Sequence, residues 1–322
     1  MQTNSDTLIT VFGGSGFLGR HVVRALAKRR YRIRVAVRRP ELAGHLQPLG
    51  TVGQIHAVQA NLRYPASVEA AVRDASVAIN LVGILFERGR QSFEAVQHFG
   101  AEQVALAAHA HGARLVHVSA IGADETSPSL YAQSKARGER AVRAALPEAV
   151  IVRPSVVFGP EDDFFNRFGS LARFLPALPL IGGGHTRLQP VFAGDVAEAI
   201  ADLVEKATGA GRTYEFGGPE VRTMREIMEY ILAVTERSRL LIPLPFGLAK
   251  MQAWFLQFLP NPPLTPDQVE LLRRDNVVSE EAIRDRRTLQ GLGITPASYE
   301  AIVPNYLWRF RRTGQFRTGR FA

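Results

Sequence analysis

Tyr131-Ala132-Gln133-Ser134-Lys135 sets a phenol and an ammonium four residues apart, neighbours on one face of a helix. A lysine ammonium close to a phenol favours the phenolate. The pair can therefore exchange a proton with an alcohol or a carbonyl while a hydride moves elsewhere. The spacing also arises by chance on surface helices. Here the pair follows a fifth strand signal, Leu115–Ser119, in a half-chain where strand and helix signals alternate, and that position argues against chance.

The element that would bring a hydride carrier to this pair lies at the other end of the same half. An apolar run, Leu8–Phe12, reads as a first strand and leads into Gly13-Gly14-Ser15-Gly16-Phe17-Leu18-Gly19. His21–Ala27 then has the spacing of apolar residues expected of a helix. Glycines at 13, 16 and 19 let the backbone turn tightly, approach a pyrophosphate and pack helix against strand. The amides and dipole at the helix start favour a phosphate, so Gly13, Ser15, Gly16, Phe17, Leu18 and Gly19 are assigned to a dinucleotide. Strand, turn and helix agree, which a lone glycine motif does not offer.

A second strand, Arg32–Val37, ends in Arg38-Arg39-Pro40. An acidic side chain at such a strand end takes the ribose 2′-hydroxyl of NAD, whereas arginine accommodates the 2′-phosphate of NADP. Residues 20–39 hold nine Lys or Arg and no acid. Arg29, Arg30 and Arg32 read as solvated surface, while Arg38 and Arg39 are assigned to the phosphate. NADP(H) is favoured over NAD(H).

The elements that must carry these groups are a third strand Gln54–Gln59, a helix Pro65–Arg73, a fourth strand Val77–Val82, a long helix Ser92–His111, the fifth strand, a helix near Tyr131–Ala145 and a sixth strand Val150–Arg153. The alternation predicts an α/β fold, a Rossmann-type doubly wound parallel sheet. Beyond Pro154 the pattern turns Pro- and Gly-rich. Phe192–Lys206 reads as a helix capped by Asp195 with Glu198 three residues on, and Tyr214–Gly218 as a strand returning to the sheet. The expected organisation is a nucleotide-binding domain over 1–153, with 189–218 returning to it, and a smaller, mostly helical domain over 154–188 and 219–322.

The 322 residues include no cysteine, which excludes disulfides, thiol nucleophiles and thiolate metal sites and fits a reducing compartment. The eight histidines lack ligand spacing, so no metal is expected; His109 and His111 read as surface residues. No segment has the length of a membrane-spanning helix, and Met1–Thr7 lacks signal-peptide character. The expected location is cytoplasmic, either free or peripheral on the inner face of the plasma membrane. The net charge of +9 is uneven: residues 1–150 carry 18 basic and 11 acidic side chains, 151–299 carry 16 and 18, and 300–322 carry 5 and 1. Such a field attracts anionic cofactors, membranes or acidic partners.

With these motifs the chain resembles the short-chain dehydrogenase/reductase superfamily, in its extended and atypical two-domain branches, nearly end to end. Gly13, Gly16 and Gly19 are similar to the family's cofactor loop. Asn61-Leu62 falls where the family contacts adenine, with Asn in place of the usual Asp, and Asn80-Leu81-Val82-Gly83 resembles its strand-end segment beside the cofactor. Arg153–Pro160, with Pro154 and Val157, resembles the segment lining the nicotinamide, and Gly182–Asp195, with Arg187, the loop bordering the substrate in sugar-nucleotide relatives. By this resemblance Tyr131 and Lys135 are the catalytic pair, and Lys135 also holds the nicotinamide ribose. Active relatives usually have a second serine after the fifth strand; here Ser119 is followed by Ala120, so Ser119 either orients a carbonyl beside the cofactor or simply ends the strand. Gln97 stands where such relatives often have Asn, three residues before Gly100.

Ser119–Asp124, Pro243–Pro245, Phe246–Leu259, Pro260–Gln268 and Asp275–Val278 narrow the resemblance to bacterial relatives of the thirty-nine-kilodalton nucleotide-binding accessory subunit of respiratory complex I. That implies an NADPH-binding protein, its cofactor structural, serving as accessory or assembly factor of a membrane-bound NADH:quinone oxidoreductase. The alternative is an active NADP(H)-dependent oxidoreductase or epimerase on a hydroxyl or ketone, such as a quinone or isoprenoid intermediate; its substrate is not legible. Two apolar segments complete the reading. Phe246–Leu259, apolar almost all round and bracketed by prolines, reads as buried core of the small domain ahead of a membrane element. The tail from Leu307 to Phe321 interleaves arginines with aromatics. It reads as a contact for an anionic membrane surface or a protein, or as a solvated tail. With no nucleic-acid fold motif present, no nucleic-acid partner is expected.

Overall fold

Short β-branched and apolar runs separated by helices pair in parallel, because each crossover returns the chain to the same end of the sheet. The computed structural model describes residues 4–312 and Gly314. Its strands are β1 (Leu8–Phe12), β2 (Arg32–Val37), β3 (Ile55–Gln59), β4 (Val77–Asn80), β5 (Arg114–Val118), β6 (Val150–Pro154), β7 (Val157–Phe158), β8 (Ala177–Ile181), β9 (Arg187–Leu188), β10 (Val191–Phe192), β11 (Thr213–Phe216), β12 (Arg222–Thr223) and β13 (Leu240–Leu244). The main helices are α1 (Phe17–Lys28), α2 (Pro65–Val72), α3 (Phe99–Ala110), α4 (Leu130–Ala145), α5 (Phe165–Phe174), α6 (Ala193–Glu205), α7 (Met224–Val234), α8 (Phe246–Leu256) and α9 (Pro266–Leu271).

Seven strands form one parallel sheet in the order β3-β2-β1-β4-β5-β6-β11. The strand order reverses direction between β1 and β4, where Phe12 stands level with Asn80. Ligands of open parallel sheets bind at such a switch point. The central strands are buried on both faces and are apolar apart from Thr10, whose hydroxyl donates to the Ala71 carbonyl at 2.7 Å, and Asn80. One face is covered by α2, α3 and α4 through Val68, Ala71, Val104, Ala108 and Val142. On the other, α1 packs along α6.

The chain divides into two compact units. The first comprises residues 1–154, 193–216 and 279–294; the second comprises 155–192, 217–278 and 295–322. Residues 279–294, expected in the smaller domain, thus belong to the first unit. Two long-range ties hold them there: the Ser279 amide donates to Glu215 on β11 at 2.8 Å, and Arg287 donates to the Thr213 carbonyl at 2.8 Å. The second unit has its own core of Phe158, Phe165, Leu178, Leu180, Ile227, Met228, Ile231, Val303 and Leu307. A parallel β8–β13 ribbon lies within it.

Several local expectations are corrected. The long helix opens with a π-helical turn, Glu94–His98, before α3. Helix α6 begins at Ala193, so Asp195 lies inside its first turn rather than ahead of it, and Glu198 pairs with Arg29. Arg29 is no solvated side chain: it pairs with Glu198 at 3.0 Å, Glu205 at 3.3 Å and Asp202, tying α1 to α6. Helix α8 is not core, since only Ala249 and Ala253 are fully buried and its large side chains face outward. The start of the basic tail packs on the second unit, with Tyr306 and Leu307 buried and Arg311 donating to the Val234 carbonyl at 2.8 Å. Thr313 and residues 315–322 lie outside the described residues.

Candidate functional site

The glycine turn leaves β1 at the switch point. Gly13 has φ +78°, and its amide donates to the Ala36 carbonyl of β2 at 3.1 Å. The Gly16 amide returns to the Gly13 carbonyl at 3.0 Å. A Cβ on Gly19 would sit 2.3 Å from the Gly13 oxygen, so helix α1 and the turn approach more closely than any side chain permits. Gly16 caps α1 with no side chain, and the first-turn amides of a helix have no intrahelical partner. Ser15, Phe17 and Leu18 are half-buried around this turn. Arg38 and Arg39 follow the last residue of β2 and are both exposed.

After β3, the Asn61 side-chain oxygen accepts from the Arg63 amide at 3.2 Å, and Leu62 is buried against Gly100. After β4, the Asn80 side-chain oxygen accepts from the Val82 amide at 3.1 Å. That fixes the amide orientation, so the Asn80 nitrogen faces His117 Nδ1 at 3.2 Å. His117 thus accepts through Nδ1 and carries its proton on Nε2. Burial, and secondarily the Lys135 charge, push its pKa down to about 3, so the ring is neutral. Sequence reasoning missed His117, although a histidine inside the otherwise apolar run Leu115–Val118 was the available signal.

Helix α4 starts with Ser129, whose hydroxyl accepts from the Ala132 amide. It carries Tyr131 and Lys135 on one face, with the ammonium 5.9 Å from the tyrosine ring centroid. The Tyr131 ring meets Phe93 edge-on at 5.9 Å. Lys135 is buried, and its ammonium donates to the Val118 carbonyl at 3.3 Å. Burial pulls its pKa down to about 8 against the opposing pull of Glu139. Glu139 is itself held by Arg153 through bonds of 2.9 and 2.7 Å.

Gly83 makes room for this ammonium: a Cβ there would lie 3.2 Å from Lys135 Nζ and 3.7 Å from Gln97 Oε1. Gln97, on the π-helical turn, donates to Ser134 Oγ at 3.1 Å, and its Oε1 is buried with no hydrogen-bond partner. Ser119 directly follows β5, with its Oγ likewise buried and unpartnered. Each such group costs free energy when left unpaired. Pro154 ends β6 and accepts at its carbonyl from Ile121 at 3.0 Å. Val157 is in the second unit, paired with Val191. Arg187, also in that unit, is engaged by Asp275 through its amide at 2.8 Å and its Nε at 2.7 Å. Burial alone would raise the Asp275 carboxyl, but these bonds outweigh it and hold it low. Among the described residues no cluster of His, Asp and Glu could hold a metal ion, and no helix is long and apolar enough to cross a membrane.

A family model described as the RmlD substrate binding domain matches residues 7–253. Alpha subcomplex subunit 9 of mitochondrial NADH dehydrogenase [ubiquinone] 1 from Arabidopsis thaliana is 37% identical, over 96% of this chain and 79% of that protein. A ceramide reductase of Caulobacter vibrioides is 39% identical over 63% of this chain and 62% of its own length. A dTDP-glucose 4,6-dehydratase from Streptomyces venezuelae, solved with NAD bound, shares the fold at a TM-score of 0.72 and 20% identity, over 96% of this chain and 98% of that one. The chain belongs to the short-chain dehydrogenase/reductase superfamily, as an atypical member related to the subunit 9 proteins of mitochondrial NADH dehydrogenase.

Proposed function

We propose that the first unit binds NADP(H) and that the protein is a cofactor-stabilised accessory or assembly factor of a membrane-bound respiratory NADH:quinone oxidoreductase. The observation that carries the cofactor reading is the glycine turn, where Gly19 has no room for a Cβ, opening at the sheet's switch point beside two exposed arginines. The turn's amides would hold the pyrophosphate, and Arg38 and Arg39 the 2′-phosphate through charge-assisted bonds. Lys135 would take the nicotinamide ribose hydroxyls. The unpartnered oxygens of Ser119 and Gln97 fit a polar ligand beside them. Asn61-Leu62 and Val82-Gly83 would flank the adenine and the central part of the dinucleotide, with Pro154 near the nicotinamide. The partner reading is supported by relatives named as subunits of mitochondrial NADH dehydrogenase, and the location that follows is the inner face of the membrane.

A second reading, an active reductase or epimerase, is favoured by the retained Tyr131–Lys135 pair and by the unpartnered Ser119 hydroxyl. The nicotinamide supplies or accepts the hydride when bound. Tyr131 would then hold the transferable proton, with Ser119 orienting the substrate oxygen and the Lys135 ammonium favouring the phenolate.

The test is affinity for NADPH against NADH in the unmodified protein and in Arg38→Ala and Arg39→Ala. NADPH is expected to bind more tightly, with the preference shrinking in both variants; equal affinities in the unmodified protein overturn the assignment. Tyr131→Phe separates the two roles: it retains NADPH affinity under either, and it abolishes NADPH oxidation only if the protein turns over a ketone or quinone. Failure to co-purify with the respiratory complex from solubilised membranes removes the accessory role.

A further inference from the structure

Helix α8 is packed inside out. Its small residues, Ala249 and Ala253, face a minor core of Val269, Ile181, Leu244, Phe246 and Leu264. Beyond Phe246 most of its large ones face away: Trp254, Phe255 and Phe258, the last just past the helix, are 53%, 64% and 72% exposed, and Leu248, Met251 and Leu259 are exposed with them. Trp254 meets Phe255 and Phe258 edge-on at 4.9 and 5.5 Å, so the three rings form one cluster. A helix that serves only its own fold buries the bulky side and exposes the small one. A contiguous apolar patch left outside marks an interaction surface.

The surrounding charge selects the occupant. Residues 240–263 contain a single charged side chain, Lys250, and no acid. Below the helix, Glu270 is flanked by Lys250 at 2.8 Å and Arg273 at 2.9 Å, leaving the pairings cationic overall. Arg273 also lies over the Phe246 ring at 4.4 Å. The β8–β13 ribbon leads from α8 to a second apolar and basic site. There Leu240 and Ile242 are exposed, Arg173 covers exposed Phe174 at 5.4 Å, and Arg239 bonds the Ala172 carbonyl at 2.9 Å. Rings and aliphatics set among cations match an anionic bilayer surface, where rings enter the headgroup boundary and arginines meet phosphates. Eleven residues of helix span about 16 Å, too short to cross a bilayer core of roughly 30 Å, so α8 lies in the interfacial plane.

We propose that the second unit docks on anionic lipid membranes through α8, with Trp254, Phe255 and Phe258 inserted and the neighbouring Lys250, Arg273, Arg173 and Arg239 facing lipid phosphates. The inference rests on this surface alone and is independent of the nucleotide reading.

The test is flotation of the full chain with vesicles of phosphatidylcholine and phosphatidylglycerol, compared with phosphatidylcholine alone. The protein floats with the anionic vesicles at low salt and less with the neutral ones. In a Trp308→Phe background, where Trp254 is the remaining tryptophan, its emission shifts to the blue on binding. The triple variant Trp254→Ser, Phe255→Ser, Phe258→Ser loses about tenfold or more in vesicle partition, while its urea midpoint and NADPH affinity stay those of the parent. Arg173→Gln with Arg239→Gln reduces the preference for anionic lipid. The proposal is overturned if the full chain does not float, or if the triple variant floats like the parent. It is equally overturned if deletion of residues 313–322 alone abolishes flotation. Conversion of a dimer to a monomer by the triple variant, without any vesicle binding by the parent, assigns the face to a second copy and also overturns it.

Discussion

Lys135→Met removes an ammonium that the fold keeps buried, and methionine fills nearly the same volume. The drop in the lysine pKa from 10.5 to about 8 is set by burial, and it corresponds to roughly 3 kcal/mol of disfavoured charge. The sign follows from proton counts. Between pH 8 and 10.5 the unfolded chain still binds the proton that the folded one has released, so the lysine protein gains stability as pH rises. Below pH 8 the cost is present in full. Without nucleotide at pH 7, Lys135→Met is therefore expected to be more stable than the parent by up to roughly 3 kcal/mol, and the gap closes as pH is raised through 10.5. Added NADPH acts in the opposite sense: at a hundredfold excess over Kd it stabilises the parent by about 2.7 kcal/mol and the variant by less. Urea unfolding followed by circular dichroism from pH 7 to above pH 10, with and without NADPH, reads all three effects. A variant no more stable than the parent at pH 7, with a difference that pH does not alter, would refute the reasoning.

Gly19→Ala places a methyl 2.3 Å from the Gly13 oxygen; a loss of about 3 kcal/mol in urea unfolding and of measurable NADPH binding is expected. Gly44→Ala, with nothing within 4 Å of the added carbon, is the matched control and is expected to change neither. Because His117 is held neutral down to about pH 3, stability is lost as pH falls from 6.5 towards 3, by roughly 5 kcal/mol in total. His117→Gln should lack that component, so a parallel loss of stability in parent and variant across this window would exclude it.

The seven-stranded parallel sheet was legible because each of its strands is a short apolar run and each crossover begins or ends with glycine, proline or a capping residue. The Tyr131–Lys135 pair and the glycine turn were legible for a related reason: their geometry is local, fixed within four to seven residues. What escaped depends on partners distant in sequence. The burial of Lys135 and the neutral state of His117 follow from packing between β4, β5 and α4. The place of residues 279–294 is decided by bonds to β11, 64 and 74 positions away. Helix α8 was misjudged because an all-round apolar helix carries no periodic signal saying which side is in. Its two alanines, four residues apart, were the only local indication.

The route of the chain constrains how the protein is made. Five passages between the two units, after residues 154, 192, 216, 278 and 294, mean that the first unit is assembled from three separated stretches. Its last stretch is synthesised only after most of the second unit has emerged. At typical elongation rates the interval between residues 154 and 279 is on the order of ten seconds, in which β6 first waits for β11 along its edge and β11 then waits for the 279–294 segment. An N-terminal fragment ending at residue 216 therefore holds every strand of the sheet and still lacks a piece of its own unit. A nascent chain of this design exposes an incomplete first unit until residues 279–294 have emerged.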